Sequence, residues 1–252
     1  EISNNEVNNS LIEIMTNGGV ISVDIKNITS FWFRRSNFEI KNSGLKIFEN
    51  KAEFISRYLS RECITLKDYI HASLIEKNHI NSLKDIFTNK IYNLELAKKA
   101  GLKIPNTLIT NSKNKLLKFF HANKSSIIYK SLDIGYLRDV SKGVEINLYT
   151  QKVELSDFDN NRDYFFPTFF QENIEKKFEI RTFYLNEKCY STAIFSQNDE
   201  KTKLDFRHYN YNRPNRTPSF TLPDNIESSI KILMNSLSMN SGSLDLIYTQ
   251  NK

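Results

Sequence analysis

The sequence predicts an α/β (α+β) protein with two lobes or domains. Two patterns indicate this class: strands and a helix alternate over residues 107–130, and alternating apolar strands flank turn sequences such as Asn186-Glu187. The chain has 252 residues, of which 39% are hydrophobic, so it can bury a sizeable core. A globular protein is therefore expected.

The charge balance is basic, with 35 Lys and Arg against 29 Asp and Glu. The net charge of +6 is compatible with a nucleic acid, an acidic peptide or phosphates as the ligand. However, the basic residues are scattered among Asn, Ser and acidic residues, which argues against a nucleic-acid-binding tail. Composition by itself leaves these ligand classes open.

Membrane insertion and secretion are not expected. No run approaches the roughly 18 apolar residues of a membrane-spanning helix, and the first residues are polar rather than those of a secretory signal. Cys63 and Cys189 lie far apart in the sequence, which suits a reducing cytosol rather than a disulfide framework. The sequence therefore predicts a cytoplasmic location.

The N-terminal part is predicted to contain a hairpin, a strand and one or two helices. The turn Asn17-Gly18-Gly19 between alternating apolar residues predicts a hairpin over residues 10–25. A strand is expected over 30–34. Apolar residues at three- and four-residue steps over 52–77 indicate a helix or a helix pair that closes this lobe.

The next part is predicted to begin with a helix and continue as a β-α-β unit. Asn89 can cap the first helix, and Gly101 can end it. The unit comprises a strand over 107–110, a helix over 112–121 and a strand over 126–130. The region 131–163 is the least regular, and a hairpin with mobile connections is expected there.

The last part is predicted to be mainly antiparallel. An aromatic strand over 165–171 contains Pro167, which indicates an edge strand or a late start. A hairpin then pairs 177–185 with 188–196. After a loop rich in Asn, Arg and Pro, Pro223 opens an amphipathic helix, and a strand over 243–248 closes the chain.

Two lysines stand at the ends of predicted elements. Lys90 begins a helix, where a cation opposes the helix dipole unless an anion lies nearby. Lys130 ends an apolar strand, where a lysine usually just extends to water. Taken alone, each is better interpreted as a solvated lysine.

Several charged residues share strand faces in the C-terminal part. Alternation places Glu179 and Arg181 on one face, as a cross-strand ion pair or as a phosphate-binding arginine with its carboxylate partner. Asp205 and Arg207 repeat this spacing. Asp245 lies between two leucines on a strand expected to be mostly buried, where an unpaired carboxylate is rare.

The order of these motifs resembles that of the ATP-grasp ligases. The motifs are Lys90, Lys130, Glu179-Ile180-Arg181 and Asp205-Phe206-Arg207, and Phe31-Trp32-Phe33-Arg34-Arg35 precedes them. With that last motif, the chain more closely resembles the ATP-grasp peptide maturases of the microviridin or graspetide ("grasp-with-spasm") type, from about Gly18 to Lys252.

The resemblance implies an ATP-grasp fold with a preceding N-terminal pre-ATP-grasp domain and the nucleotide between two lobes. The domains would be 1–85 (partial pre-ATP-grasp domain), 86–170 (nucleotide lobe) and 171–252 (incomplete C-terminal lobe). The family opens on a Rossmann-like strand and continues past the Asp245 strand into a Glu-x-Asn-Pro segment. The expectation is therefore a fragment lacking both ends, inactive by itself.

The implied function is that of an ATP-dependent carboxylate ligase. It would form ω-ester or ω-amide macrocycles in a ribosomally made precursor peptide, through an acyl phosphate, with ATP and Mg²⁺ as cofactors. Its partner would be the leader and core of the precursor, with neither nucleic acid nor membrane expected, and a homodimer is allowed. The alternatives are an ATP-grasp ligase joining free amino acids, of the glutathione-synthetase or glutamate-adding type, and a non-catalytic peptide-binding module.

The resemblance also implies roles for individual residues. The nucleotide would be bound by Lys90, Lys130, Gln171, Glu172, Ile174 and Glu175. The catalytic residues would be Glu179, Arg181, Asp205 and Arg207, with Asp245 as a magnesium ligand and Arg34 and Arg35 as peptide or phosphate contacts. For Glu172 and Glu175, an ordinary solvated turn remains the alternative.

Overall fold

The chain divides into two compact units, Glu1–Phe87 and Thr88–Lys252. The structure is a computed structural model that describes residues 11–16, 18–33, 53–81, 89–132, 135–139, 143–158 and 163–250. The division into domains 1–85, 86–170 and 171–252 stays a prediction. Arg34 and Arg35 lie outside the described residues.

The first unit contains two strand pairs and a long helix. Its elements are β1 (Leu11–Thr16), β2 (Gly19–Asp24), β3 (Ser30–Trp32), α1 (Glu53–Ile75) and β4 (Asn78–Ile80). β1 and β2 pair antiparallel, so the predicted hairpin is confirmed, and Gly19 at the turn has a φ of +124° that favours glycine. β3 pairs in parallel with β4, a strand that the sequence analysis did not predict.

The second unit contains two four-stranded sheets, a hairpin and four helices among its described residues. Its elements are α2 (Lys90–Lys99), β5 (Thr107–Ser112), α3 (Lys113–Ala122), β6 (Ile127–Lys130), β7 (Tyr136–Asp139), β8 (Val144–Asn147), β9 (Gln151–Lys152), β10 (Tyr164–Glu172), β11 (Phe178–Leu185), β12 (Lys188–Ile194), α4 (Glu200–Lys203), β13 (Ser219–Phe220), α5 (Asp224–Ser236) and β14 (Ser241–Tyr248). The predicted mixed α/β class is confirmed.

The first sheet has the strand order β5-β10-β6-β9. β10 is antiparallel to both β5 and β6, so the predicted β-α-β unit exists with a later strand inserted between its two strands. Of the two alternatives predicted for 165–171, the edge strand is wrong, since β10 is central, whereas continuous pairing with β5 begins only at Thr168, as a late start would have it. Pro167 lies where the pairing of β10 with β5 shifts register. Proline has no N–H to donate to a neighbouring strand, and the irregular pairing at this point does not require one.

The second sheet has the strand order β13-β12-β11-β14, and all its neighbours are antiparallel. Alternate residues of β11, including Phe178, Ile180 and Tyr184, pack into a core with α2 and α5. The opposite face of β11 carries Glu179 and Arg181, as the alternation predicted. Because the apolar face must be buried, the fold determines where these two charged side chains point.

Local sequence signals account for the two helices that cover this sheet. The Asn89 side chain accepts hydrogen bonds from the main-chain N–H groups of Ile91 (2.9 Å) and Tyr92 (3.2 Å), so it caps α2 as predicted. Gly101 follows α2 with a φ of +88°, which an L-side chain would adopt only with strain. Ile230 and Leu233 of α5 form part of the buried stripe.

α3 covers the first sheet by burying Leu116 and Phe120 against Ile127 and Phe170. Each sheet therefore has its own helical cover, and the segment that connects the two sheets belongs to neither core. Among the residues that the structure describes, no helix combines the length and the apolar character needed to cross a membrane.

The core at α5 can be tested with two isoleucines of the same helix. Ile230 is 0% exposed and Ile232 is 54% exposed. Ile230→Ala should lower the free energy of unfolding by about 2–5 kcal/mol, because it removes buried methyl groups and leaves a cavity. Ile232→Ala is the matched control and should change it by less than about 1 kcal/mol. Urea unfolding measures both, and equal losses would contradict this packing of α5.

Candidate functional site

A cavity of about 440 Å³ opens beside the linker 173–177, which joins β10 to β11. It is lined by Ser126, Lys152, Asn173, Ile174, Glu175, Lys176, Gln197, Glu200, Lys203 and Leu204. The lining therefore comes from the first sheet, from the linker and from the segment that follows β12. A cavity at this junction is the kind of place where small molecules bind.

Two of the four predicted nucleotide-binding residues around the linker, Ile174 and Glu175, line this cavity. Glu172 does not, because its two carboxylate oxygens accept hydrogen bonds from the main-chain N–H of Asn106 (3.1 Å) and from its side-chain amide (3.0 Å). Glu172 thus ties the end of β10 to the loop before β5.

Gln171 is buried and does not line the cavity either. Its side-chain oxygen accepts a hydrogen bond from the Lys130 ammonium (3.2 Å), and its amide nitrogen donates to the Thr107 hydroxyl (3.1 Å). This chain of hydrogen bonds connects three neighbouring strands of the first sheet. Gln171 therefore orients Lys130 within this sheet.

Lys130 lies at the centre of a group of charges. Burial lowers the pKa of its ammonium group. The neighbouring side chains whose charges also act on that pKa are Asp205, Lys176, Arg207 and Asp245. These residues are far apart in the sequence but converge on Lys130 in the fold.

Lys90 reaches the same end of β6. Its ammonium group donates a hydrogen bond to the main-chain carbonyl of Ser131 (2.8 Å), the residue that follows Lys130. The start of α2 and the end of β6 are thus adjacent, although forty residues separate the two lysines in the sequence. That both lysines bind one ligand stays a prediction.

Asp205 and Arg207 form a two-point ion pair. The guanidinium Nε and Nη2 atoms of Arg207 lie 2.8 Å and 2.5 Å from the two carboxylate oxygens of Asp205. Asp205 also accepts hydrogen bonds from the main-chain N–H groups of Arg207 (3.1 Å) and Thr150 (3.3 Å). The carboxylate is buried, while the Arg207 side chain is about half exposed, so Asp205 holds a guanidinium at the surface of the site.

These contacts lower the pKa of Asp205. Burial raises it, but the hydrogen bonds and positive charge of Arg207 outweigh burial, and the pKa falls to about 2. The same partnership raises the pKa of Arg207. Both groups therefore stay charged at neutral pH.

Arg181 and Asp245 face each other across β11 and β14. They are register partners, and the Nη1 atom of Arg181 lies 2.6 Å from one carboxylate oxygen of Asp245. The expectation that Asp245 is enclosed in a buried strand is wrong: its side chain is 56% exposed. β14 buries its other face against the helices, so Asp245 shares an open face with Arg181.

A metal ligand set is only partly present at Asp245. Within the described ranges, no group of three or more His, Cys, Asp or Glu side chains is arranged to hold a metal ion. Mg²⁺ is commonly held by one or two carboxylates together with substrate phosphates and water. Asp245 offers one exposed carboxylate, of which one oxygen already pairs with Arg181, so its role as a magnesium ligand stays a prediction.

Glu179 is buried and separate from the Arg181–Asp245 pair. It forms an ion pair with Lys176, whose ammonium group also donates to the main-chain carbonyl of Leu204 (3.0 Å). The Ser196 hydroxyl donates to the same Glu179 oxygen (3.4 Å). Burial raises the pKa of Glu179, and Lys176 opposes this rise. Lys176 thus connects the linker, β11 and the segment 196–204, all of which border the cavity.

Sequence reasoning missed Lys176 as a site residue. Neighbouring Lys177 has the same side chain but is exposed. The only available signal was the spacing Lys176-x-x-Glu179, which does not distinguish a buried pair from a solvated one. The segment 197–204 was missed as well, because nothing in its sequence indicates that it borders a cavity.

The low pKa of Asp205 gives a test of this geometry. Because that pKa is about 2, compared with an ordinary value of 3.8, the stabilisation that the carboxylate provides is complete above about pH 4. It is lost as the pH falls toward 2. Asp205→Asn should therefore lower the free energy of unfolding by about 1–2 kcal/mol at neutral pH, and the gap from wild type should close between pH 4 and pH 2.

Urea unfolding across this pH range measures that gap. Glu200→Gln is the control, since the Glu200 side chain is 87% exposed and its pairing with Lys203 should contribute little. A gap for Asp205→Asn that did not change with pH would contradict the ion pair with Arg207.

Comparison with known proteins relates this geometry to solved structures. No protein-family model matches the chain, and no curated protein sequence does. Among solved structures, the macrocyclase MdnC of Microcystis aeruginosa MRC, bound with the precursor peptide MdnA, is similar with a TM-score of 0.71 and 26% identity. The match covers 96% of this chain and 76% of that one.

Two further solved structures share the fold. A Chryseobacterium gregarium RiPP-associated ATP-grasp ligase, in complex with ADP and a leader and core peptide, has a TM-score of 0.74 and 22% identity over 97% of this chain and 74% of its own. The ATP-grasp ligase PsnB, complexed with minimal precursor, Mg and ADP, has a TM-score of 0.66 and 18% identity over 96% of this chain and 73% of its own. The chain has the ATP-grasp fold and is a structural relative of the ATP-grasp peptide ligases, which confirms the resemblance predicted from its sequence.

Proposed function

We propose that this protein is an ATP-dependent carboxylate ligase that closes ester or amide rings in a ribosomally made precursor peptide. The observation that carries the proposal is that three lysines come together from distant parts of the sequence. Lys90 bonds to the end of β6 that bears Lys130, and Lys176, whose charge acts on Lys130, lines the cavity. The likeness to MdnC, a macrocyclase solved with its precursor peptide, supports the choice of substrate.

The cavity fits the base and ribose of a nucleotide. Its volume of about 440 Å³ lies within the range of small-molecule sites. Ile174 supplies apolar surface and main-chain groups, and Glu175 supplies an exposed carboxylate that can accept hydrogen bonds from ribose hydroxyls. Leu204 faces the same space from the opposite segment.

The phosphates would be bound by the lysines. Lys130 is mostly desolvated and oriented by Gln171, so its attraction to an anion is stronger than that of a surface lysine. Lys90 approaches from the start of α2, where the helix dipole also favours an anion. Asp245 would provide one oxygen to Mg²⁺, and the ion would neutralise charge on the transferred phosphoryl group.

The reaction couples phosphoryl transfer to ring closure. A carboxylate of the peptide accepts the γ-phosphoryl group of ATP to give an acyl phosphate and ADP. A hydroxyl or amine of the same peptide then attacks the acyl carbon, loses its proton, and displaces inorganic phosphate. The peptide therefore loses one water for each ester or amide formed.

Arginine side chains would position the reacting carboxylate. Arg207 is held by two hydrogen bonds to the buried Asp205, yet its side chain is about half exposed, so it can contact a peptide without leaving its partner. Arg181 lies on the open face of β11 and would bind the transferred phosphate. The chemistry then depends on position and charge more than on a covalent protein intermediate.

The proposed location is the cytoplasm, where ATP is available. Neither Cys63 nor Cys189 forms a disulfide, which is compatible with a reducing compartment.

The direct test is incubation of the full-length protein with ATP, Mg²⁺ and a candidate precursor rich in Thr and acidic residues. Mass spectrometry should find products that have lost one water per ring, together with stoichiometric ADP. Coupling of two free amino acids without any change in the peptide would favour a ligase of the glutathione-synthetase type. Peptide binding without ATP consumption would favour a non-catalytic module.

The division of roles between Lys130 and Arg207 can be tested separately. Lys130→Ala should weaken ATP binding by about 10- to 100-fold, since it removes a charge-assisted contact to phosphate. Arg207→Ala should leave ATP affinity within about 3-fold of wild type but reduce ring formation strongly, because Arg207 contacts the peptide. Calorimetry with ATP and mass spectrometry of the peptide provide the two measurements.

Lys188→Ala, at an exposed position on the β11–β12 hairpin, should change neither value. Equal loss of ATP affinity in Lys130→Ala and Arg207→Ala would refute this division.

The buried pair at the cavity gives a further prediction. Lys176→Met should raise the KM for ATP by about 10-fold or more, because Glu179 loses its partner and the cavity lining loses its tie to Leu204. Lys177→Met is the matched control and should leave KM unchanged. The double variant Lys176→Met/Glu179→Met should recover stability but not ATP affinity. Recovery of both would limit Lys176 to a role in folding.

A further inference from the structure

The loop that follows the Asp205–Arg207 pair has an unusual composition. Residues 206–223 include three arginines and a histidine but no Asp or Glu, in a chain in which 25% of the residues are charged. We call residues 207–216 the arginine–tyrosine loop. The acids that face these arginines lie outside the loop: Asp205 pairs with Arg207, and the charge of Arg213 acts on Asp199, so three arginines meet two carboxylates.

The arginine–tyrosine loop is attached to the fold at several points. The main-chain carbonyl of Arg216 accepts a hydrogen bond from the N–H of Phe195 (3.1 Å), and the Arg216 guanidinium lies 4.4 Å from the centre of the Phe195 ring. The side-chain amide of Asn210 donates a hydrogen bond to the Asp199 carboxylate (2.6 Å), and the side-chain oxygen of Asn215 accepts one from the Thr202 hydroxyl (3.2 Å). These contacts determine the course of the loop backbone.

Two tyrosines project from this anchored backbone. Tyr211 is 89% exposed and Tyr209 is 56% exposed, and their rings are stacked with centres 6.1 Å apart. Neither belongs to the two buried cores of the second unit. Exposed tyrosines on a constrained backbone offer rigid contact area at low entropic cost, as in peptide-binding surfaces.

The loop starts at the reactive end of the site. Arg207 is its first residue, and the ring of the adjacent His208 packs against the ring of Tyr149 at a centroid distance of 3.7 Å, with the two planes tilted by 37°. Thr150, next to Tyr149, donates its main-chain N–H to Asp205. The loop is therefore continuous with the residues to which the proposed function assigns the peptide carboxylate.

We propose that the arginine–tyrosine loop binds an acidic segment of the precursor peptide next to the carboxylate that reacts. Arg213 and Arg216 attract side-chain carboxylates of the peptide, and Tyr209 and Tyr211 pack against its backbone and methyl groups. Charge complementarity selects this occupant, since the loop carries three arginines against two neighbouring carboxylates, Asp199 and Asp205. This inference rests on the proposed function and deepens it by naming the chemistry of the substrate segment.

The test uses the whole chain and a fluorescein-labelled peptide of about twelve residues that alternates Glu with Thr. A twin peptide with Gln in place of every Glu measures the contribution of charge. The variant Tyr211→Ser/Arg213→Gln should weaken binding of the Glu peptide by about 10-fold in fluorescence anisotropy. The control Tyr164→Ser/Lys188→Gln removes an exposed tyrosine and an exposed lysine elsewhere and should leave binding unchanged.

Three outcomes would overturn the inference: equal binding of the Glu and Gln peptides, equal binding by the loop variant and wild type, or no binding of the Glu peptide by wild type. Tighter binding of a single-stranded oligonucleotide that the loop variant also loses would assign the loop to nucleic acid instead. ATP affinity of the loop variant should equal that of wild type. Failure of the proposed function is distinguishable, because it would appear as absent ATP binding or absent ring formation in the full-length wild-type protein.

Discussion

The buried ion pair between Lys176 and Glu179 is the interaction on which the site depends. It joins the linker to β11, and the second hydrogen bond of Lys176 to Leu204 adds the segment after β12. Glu179 is buried and Lys176 is nearly so. Charges in such surroundings are tolerated only when they are paired and hydrogen-bonded, so these segments constrain one another's geometry. The cavity is therefore bordered by segments that cannot move independently without breaking this pair.

Lys176 also belongs to the group of charged side chains around Lys130. Four cations, Lys130, Lys176, Arg181 and Arg207, lie with three carboxylates at one junction. Glu179 is buried and pairs with Lys176, and Asp205 is buried and pairs with Arg207. Asp245 is exposed. The site can therefore offer positive charge to phosphates and peptide carboxylates.

The predicted site residues divide according to what local sequence can indicate. Alternation along β11 correctly placed Glu179 and Arg181 away from the core, because a strand with one buried face has a register that the apolar residues determine. The partners of these residues could not be predicted, since Lys176 and Asp245 reach them through a turn and a neighbouring strand. The hydrogen bonds of Gln171 to Lys130 and of Glu172 to Asn106 could not be predicted either, since they depend on the position of β10 between β5 and β6. The role of both residues at a nucleotide stays a prediction.

The sequence by itself determined the mixed fold class, most helices and strands, and the motif order that identified the ATP-grasp resemblance. Each of these depends on short-range periodicity, capping residues or the order of residues along the chain, which a linear sequence contains. Only the tertiary structure decided that β10 is central, that Asp245 is exposed, and that Lys176 rather than Lys177 borders the cavity. These features depend on which strands pair and which faces are covered, and such long-range contacts have no local signature.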